Sequence, residues 1–233
     1  MSAVRGASFS IFKGEMLGLV GESGCGKSTL AKLILRLIPA DKGSIFYKDR
    51  DLLKADHSDM RKMRKDLQII FQDPYASLDP RMKIGNVIEE VYNIHKNARR
   101  CDRRNKAIEL LETVGLGESY LNRLPSELSG GERQRVGIAR ALATEPEFII
   151  CDEPVSSLDI SIQAQILNLL IDIQKRKNLT YLFISHDLGV IASICDRVIV
   201  MRSGVFVETG LCEHVFKNPQ HDYTKELLRS VYV

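Results

Sequence analysis

Gly21-Glu22-Ser23-Gly24-Cys25-Gly26-Lys27-Ser28-Thr29 follows the apolar run Met16–Val20 and opens the apolar-striped stretch Leu30–Leu37. Glycines at this spacing let backbone N–H groups converge on phosphate oxygens with no Cβ in the way. A helix starting near Lys27 adds its positive N-terminal end. Lys27 is placed to reach the β- and γ-phosphates of a nucleoside triphosphate, and the Ser28 hydroxyl to bind Mg2+. Cys25 lies inside the loop, beside Lys27 and a helix start. Both would lower its thiol pKa and open it to alkylation that blocks nucleotide binding.

Three further apolar runs, Leu67–Phe71, Phe148–Cys151 and Thr180–Ile184, match Met16–Val20 in length and β-richness. None alternates cleanly, as expected for strands buried on both faces of a parallel sheet. Polar groups come next after each: Gly21, Gln72, Asp152-Glu153 and Ser185-His186. The carboxyl edge of such a sheet is where ligands bind. Asp152 is placed to hold Mg2+ and Glu153 to polarise an attacking water as general base. Gln72 is placed to contact the metal or the water, and His186 to hydrogen-bond the γ-phosphate.

Between Tyr75 and Leu142 apolar residues recur at helical spacing, as in Ile84, Val87, Ile88 and Val91 and in Ile108, Leu111 and Val114. The pattern predicts a helical insert with breaks near Asp79–Pro80, Gly115–Gly117 and Pro125. A further helix is expected over roughly Ile162–Lys175, and a hairpin where Ser203–Gly204 separates Arg197–Met201 from Val205–Glu208. Within the insert, Ser129-Gly130-Gly131-Glu132 makes a capping box at the head of a helix through Leu142. The glycines leave its first N–H groups bare, a second anion cradle. Two cradles on one sheet make sense when the second serves a neighbouring subunit's nucleotide.

The chain has 233 residues, enough for one large domain, with 44% hydrophobic and 27% charged residues and a formal net charge of +3. That charge decides nothing about nucleic acid. Cys25, Cys101, Cys151, Cys195 and Cys212 form no CxxC pair, which reads as reduced thiols without a zinc site. No apolar run approaches the roughly 18 residues of a membrane span, and the N-terminus lacks the apolar stretch of a signal peptide. A membrane role therefore comes through a partner. There are no internal repeats or low-complexity tracts.

Together these motifs, in this order over nearly the whole chain, resemble the nucleotide-binding subunit of ATP-binding-cassette (ABC) transporters. Gly21–Thr29 corresponds to Walker A, Phe148–Glu153 to Walker B and Leu128–Glu132 to the signature motif. Gln72 corresponds to the Q-loop, Ser157-Leu158-Asp159 to the D-loop and His186 to the switch histidine. Gln72–Arg81, Cys151–Gln165 and the tail Asn218–Thr224 are similar to segments of peptide and nickel importers, and Ser129–Arg135 and Cys151–Ser157 to the second ("F-type") of their two ATPases. The resemblance implies an α/β P-loop NTPase fold: a single ABC ATPase domain over residues 1–233, a mainly parallel sheet with a small antiparallel part, and a helical subdomain at about 75–142.

It further implies ATP and Mg2+ as ligands and a head-to-tail dimer with a homologous ATPase. The other implied partners are two transmembrane permease subunits, docked near Tyr75–Tyr92, and, indirectly, an extracytoplasmic binding protein. The place implied is the cytoplasmic face of the cell membrane, peripherally bound, without nucleic acid. The family's first strand and its adenine-stacking aromatic fall upstream of Met1, which implies either a truncated chain or weakened base contact, and keeps hydrolysis carried by the partner open as an alternative. Asp222 stands where the subfamily has proline. A soluble ABC ATPase acting on nucleic acid or ribosomes is the other alternative. Its only support is the basic run Lys96, Arg99, Arg100, Arg103, Arg104 and Lys106, which reads more simply as a solvated helix face. A GTPase is disfavoured because Asn105-Lys106-Ala107-Ile108 lacks the aspartate of a guanine reader.

Overall fold

A computed structural model describes residues 3–96 and 98–229. The strands are β1 (Met16–Val20), β2 (Phe46–Tyr47), β3 (Arg50–Asp51), β4 (Leu67–Ile70), β5 (Phe148–Asp152), β6 (Thr180–Ser185), β7 (Arg197–Arg202) and β8 (Val205–Leu211). Helices α1 (Lys27–Ile34), α2 (His57–Asp66), α3 (Pro74–Ser77), α4 (Ile84–His95) and α5 (Arg103–Thr113) precede β5, as do two 3-10 turns and α6 (Gly130–Leu142). Helices α7 (Ile160–Lys177), α8 (Leu188–Ile194), α9 (Cys212–Lys217) and α10 (Asp222–Arg229) complete the order.

The main sheet runs β4-β5-β6-β1-β7-β8, parallel from β4 through β7, with β8 antiparallel at one edge. β2 and β3 pair separately, antiparallel. The unbroken apolar character of the central strands has a direct cause, because alternate residues feed two different cores. Met16 and Val20, Ile149 and Cys151, and Tyr181 and Phe183 face one of them, together with α4 to α10. Leu17 and Leu19, Ile150, and Leu182 and Ile184 face the other, under α1 and α2. Each such side chain contributes on the order of 1.5–3 kcal/mol when fully buried.

The helical stretch behaves as its periodicity predicts, with Ile84, Val87, Ile88, Leu111 and Val114 buried and Val91 and Ile108 partly so. These residues join the same core as one face of the sheet. Within the basic run, Arg99 pairs with Asp102 at 2.8 Å and Lys106 lies over the Tyr92 ring.

Two helix boundaries differ from expectation. α7 is longer, from Ile160 to Lys177. α1 stops at Ile34 instead of continuing to Leu37. Arg36 turns left-handed at φ 51°, and Leu37 N–H and Arg36 N–H close back on the Lys32 and Leu33 carbonyls at 2.8 and 3.0 Å. That is a Schellman ending made without glycine. Its hold on the chain is tertiary, since the Arg36 guanidinium donates to the Leu52 carbonyl at 3.0 Å. At the β7–β8 turn Ser203 and Gly204 both have positive φ, 48° and 84°, as a two-residue hairpin turn requires.

Candidate active site

The parallel register puts four strand ends side by side. β4 delivers Gln72, β5 delivers Asp152 and Glu153, β6 delivers His186 and β1 runs into the phosphate loop. Because β6 lies between β5 and β1, and β4 beside β5, these groups converge on one edge. A cleft of about 200 Å3 there is lined by Ser23, Gly24, Gly26, Lys27, Ser28, Thr29, Gln72 and Glu153. A larger hollow near Glu208–Gln220 contains none of these groups.

Gly21 and Cys25 are buried, while Glu22, Ser23 and Gly24 are exposed. Gly26 caps α1 with φ 113°, and a Cβ there would lie 2.4 Å from the Ala3 carbonyl oxygen, so only glycine fits. Lys27 is 4% exposed. Its Nζ donates to the Gly21 and Glu22 carbonyls at 2.7 and 3.0 Å and lies 4.0 Å from Glu153 Oε1. The ammonium is thus stretched across the loop, ready for phosphate oxygens.

Ser28 donates its hydroxyl proton to Asp152 Oδ1 at 3.1 Å. Burial pushes the Asp152 carboxyl above its ordinary value, the Ser28 hydroxyl opposes the rise, and the adjacent Glu153 charge adds to it. A hydroxyl and a single carboxylate are hard oxygen donors of the kind Mg2+ uses beside phosphate oxygens. Among the described residues no group of three or more His, Cys, Asp or Glu could cage a metal by itself.

Glu153 leaves β5 in a left-handed conformation, φ 48°. For a residue with a side chain this costs on the order of 1 kcal/mol, and it turns the carboxylate into the cleft. Gln72 Nε2 donates to Glu153 Oε2 at 3.2 Å, and His186 Nδ1 lies 3.1 Å from the same oxygen. A carboxylate only accepts, so a hydrogen bond here requires the imidazole proton on Nδ1. Gln72 and His186, read from the sequence as handling the water and γ-phosphate, therefore meet on the same oxygen of Glu153.

The second cradle forms as its spacing predicts but points elsewhere. The Ser129 hydroxyl accepts from Glu132 N–H at 3.3 Å, and Glu132 Oε2 accepts from Ser129 N–H at 2.7 Å. Tyr120, which nothing local in the sequence announces, donates its hydroxyl to Glu132 Oε1 at 2.5 Å. The Tyr120 and Ser129 contacts hold the Glu132 carboxyl below its ordinary value. Ser129 and Gly130 are exposed, and none of Ser129, Gly130, Gly131 or Glu132 lines the cleft. A Cβ on Gly131 would lie 2.6 Å from Ile162 Cγ2, and one on Gly130 3.2 Å from Leu158. The cradle thus packs against Leu158 and Ile162 at the head of α7, where Asp159 holds the N-cap position without a side-chain capping hydrogen bond and Ile160 is 86% exposed.

One expectation is reversed. Cys25 is buried, and burial raises its thiol pKa by more than Lys27 and the nearby backbone N–H groups lower it. The thiol faces the protein behind the loop, so proximity to a cation does not make it reactive. A contact not foreseen also holds the loop. Tyr223, on α10, accepts a hydrogen bond from Glu22 N–H at 3.2 Å. The only sequence cue was the similarity of the tail Asn218–Thr224 to one subfamily's ending.

Residues 4–156 match the protein family described as ABC transporter. The chain is 50% identical over 233 residues to the oligopeptide transport ATP-binding protein OppF of Bacillus subtilis, spanning 99% of this chain and 76% of that one. It is 46% identical over 228 residues to the dipeptide transport ATP-binding protein DppF of Haemophilus influenzae, spanning 98% and 70%. Among solved structures it resembles the dimeric, post-hydrolysis ATP-binding cassette MJ0796 bound to ADP and Pi, at 29% identity and TM-score 0.80 over 90% of each chain. It also resembles cbiO1 from Clostridium perfringens, part of the ABC transporter complex cbiONQ, at 28% identity and TM-score 0.83 over 98% of this chain and 87% of that one.

Proposed function

We propose that this chain, which belongs to the ABC transporter family and is an ATPase, energises a membrane importer of oligopeptides or dipeptides. The observation that carries this reading is the identity of about half its residues to OppF, along nearly its whole length. Nickel, the other cargo the sequence suggested, has no counterpart in the names of these relatives. No helix among the described residues is long and apolar enough to cross a membrane. The importer reading places the chain at the cytoplasmic face, docked on two permease subunits that an extracytoplasmic binding protein supplies. The helical stretch at about 75–142 serves as the subdomain that presents the Tyr75–Tyr92 surface to them.

The chemistry follows from the cleft. Backbone N–H groups of Gly24–Thr29 and the Lys27 ammonium bind the phosphates. Ser28, Asp152 and Gln72 would hold Mg2+, which neutralises phosphate charge when bound. Glu153 takes the proton of the attacking water, and Gln72 and His186 fix the orientation of its carboxylate. Because Ser129–Glu132 stands outside the chain's own cleft, it completes the cleft of a second, homologous ATPase placed head to tail.

The test is uptake of a labelled dipeptide and a labelled tetrapeptide by cells deleted for this chain. Uptake falls to background and returns with the intact chain but not with Glu153→Gln. Unchanged peptide uptake in the deletion strain would refute the assignment, and loss of nickel uptake alone would move it to the other cargo.

A further inference from the structure

A phosphate loop binds by presenting backbone N–H groups, and any freedom it loses on binding is subtracted from the affinity. Among the described residues the backbone of the loop is tied from outside at two points, both by the last quarter of the chain. Gly204 N–H, in the β7–β8 turn, donates to the Cys25 carbonyl at 2.8 Å. Tyr223, 1% exposed, accepts from Glu22 N–H at 3.2 Å across 201 residues of sequence. The two ties are themselves linked, because Arg202, just before the turn, stacks on the Tyr223 ring at 4.7 Å. Glu22 is the junction: its N–H is held by Tyr223 and its carbonyl by Lys27 Nζ. Asp222 heads α10, where a carboxylate suits the helix dipole and sets the tyrosine at the start of the helix.

We infer that Tyr223 is a positioning residue for nucleotide binding, its hydroxyl holding the Glu22 peptide so that the loop and Lys27 are preset for the β-phosphate. It touches no reacting atom. Its effect therefore falls on affinity for ATP and ADP alike and not on the chemical step. This rests on Gly21–Thr29 being the phosphate loop.

The experiment uses the full chain. Tyr223→Phe keeps the buried ring and removes only the hydroxyl. The expected result is an ATP KM and Kd, and an ADP Kd, raised about five-fold, the equivalent of one hydrogen bond, with kcat unchanged and faster hydrogen exchange at the Glu22 amide. Val114→Ala, a destabilising change in the helical stretch, leaves both Kd values where they were. Lys27→Ala abolishes ATP binding. Unchanged nucleotide Kd in Tyr223→Phe beside a loss in Lys27→Ala overturns the inference alone. An equal rise in Kd in Val114→Ala also overturns it, by reducing the effect to general stability. Retained ATP binding in Lys27→Ala removes the phosphate-loop assignment and the inference with it.

Discussion

Glu153→Gln separates proton abstraction from the other work of the site. The amide keeps the shape of the carboxylate, and its oxygen can still accept from Gln72 or His186. What disappears is a negative charge 4.0 Å from Lys27 Nζ. At that distance two unit charges interact by about 4 kcal/mol at an effective dielectric of about 20, and by about 1 kcal/mol in bulk water. Lys27 is 4% and the Glu153 side chain 13% exposed, but the cleft opens to solvent. The lower end of the range is therefore the better guide. ATP must bring its own phosphates to the same ammonium, so Glu153 competes for Lys27 and repels the incoming charge. Its neutralisation should tighten ATP binding by about 1 kcal/mol, about five-fold in Kd. Hydrolysis should drop by about 10²–10⁴-fold, because the water has lost its base. Binding is read by titration with a fluorescent ATP analogue, and chemistry by single-turnover phosphate release at saturating ATP. Turnover within about ten-fold of the unsubstituted protein would rule out the general-base role. Binding that weakens instead would show that Glu153 positions Lys27 and does not compete with phosphate.

Further outcomes follow from the second cradle and the cysteines. Ser129→Ala should cost about 1 kcal/mol of stability through the lost helix cap, measured by urea unfolding, and should abolish hydrolysis at the partner's cleft in a mixed dimer. Glu132→Gln tests the same cap by its pH dependence. Its carboxyl is held below the ordinary value of 4.5 by Tyr120 and Ser129, so its contribution is complete above that value and is lost as pH falls through the depressed one. The stability difference from the unsubstituted protein should therefore shrink on acidification, and a difference that grew would contradict the assignment. Gly131→Ala should cost about 1–3 kcal/mol by overpacking against Ile162, and normal stability would show that α7 yields there. Iodoacetamide at neutral pH should label exposed Cys101 first and leave buried Cys25 unmodified, as read by peptide mass spectrometry.

Much of this protein follows from local order in the chain. Glycine spacing before Lys27 dictates a phosphate loop, unbroken apolar runs dictate strands buried on both faces, and Ser129-x-x-Glu132 dictates a capped helix. Each is set by residues within a turn or a strand of one another, and the structure places all four strands where the apolar runs predict them. Other features depend on which strands become neighbours and on what is packed behind a loop, and these exist only once the chain has folded. Gln72 and His186 meet on Glu153 because β4, β5 and β6 lie side by side, an order that no stretch of chain states. The Cys25 thiol is raised, not lowered, because its desolvation comes from elements far away in sequence and outweighs the neighbouring charge. Arg36 ends α1 without a glycine because the Leu52 carbonyl is there to receive it. The grip of Tyr223 on Glu22 joins residues 201 positions apart, a distance at which local preference carries no information and only the closed fold can supply the contact.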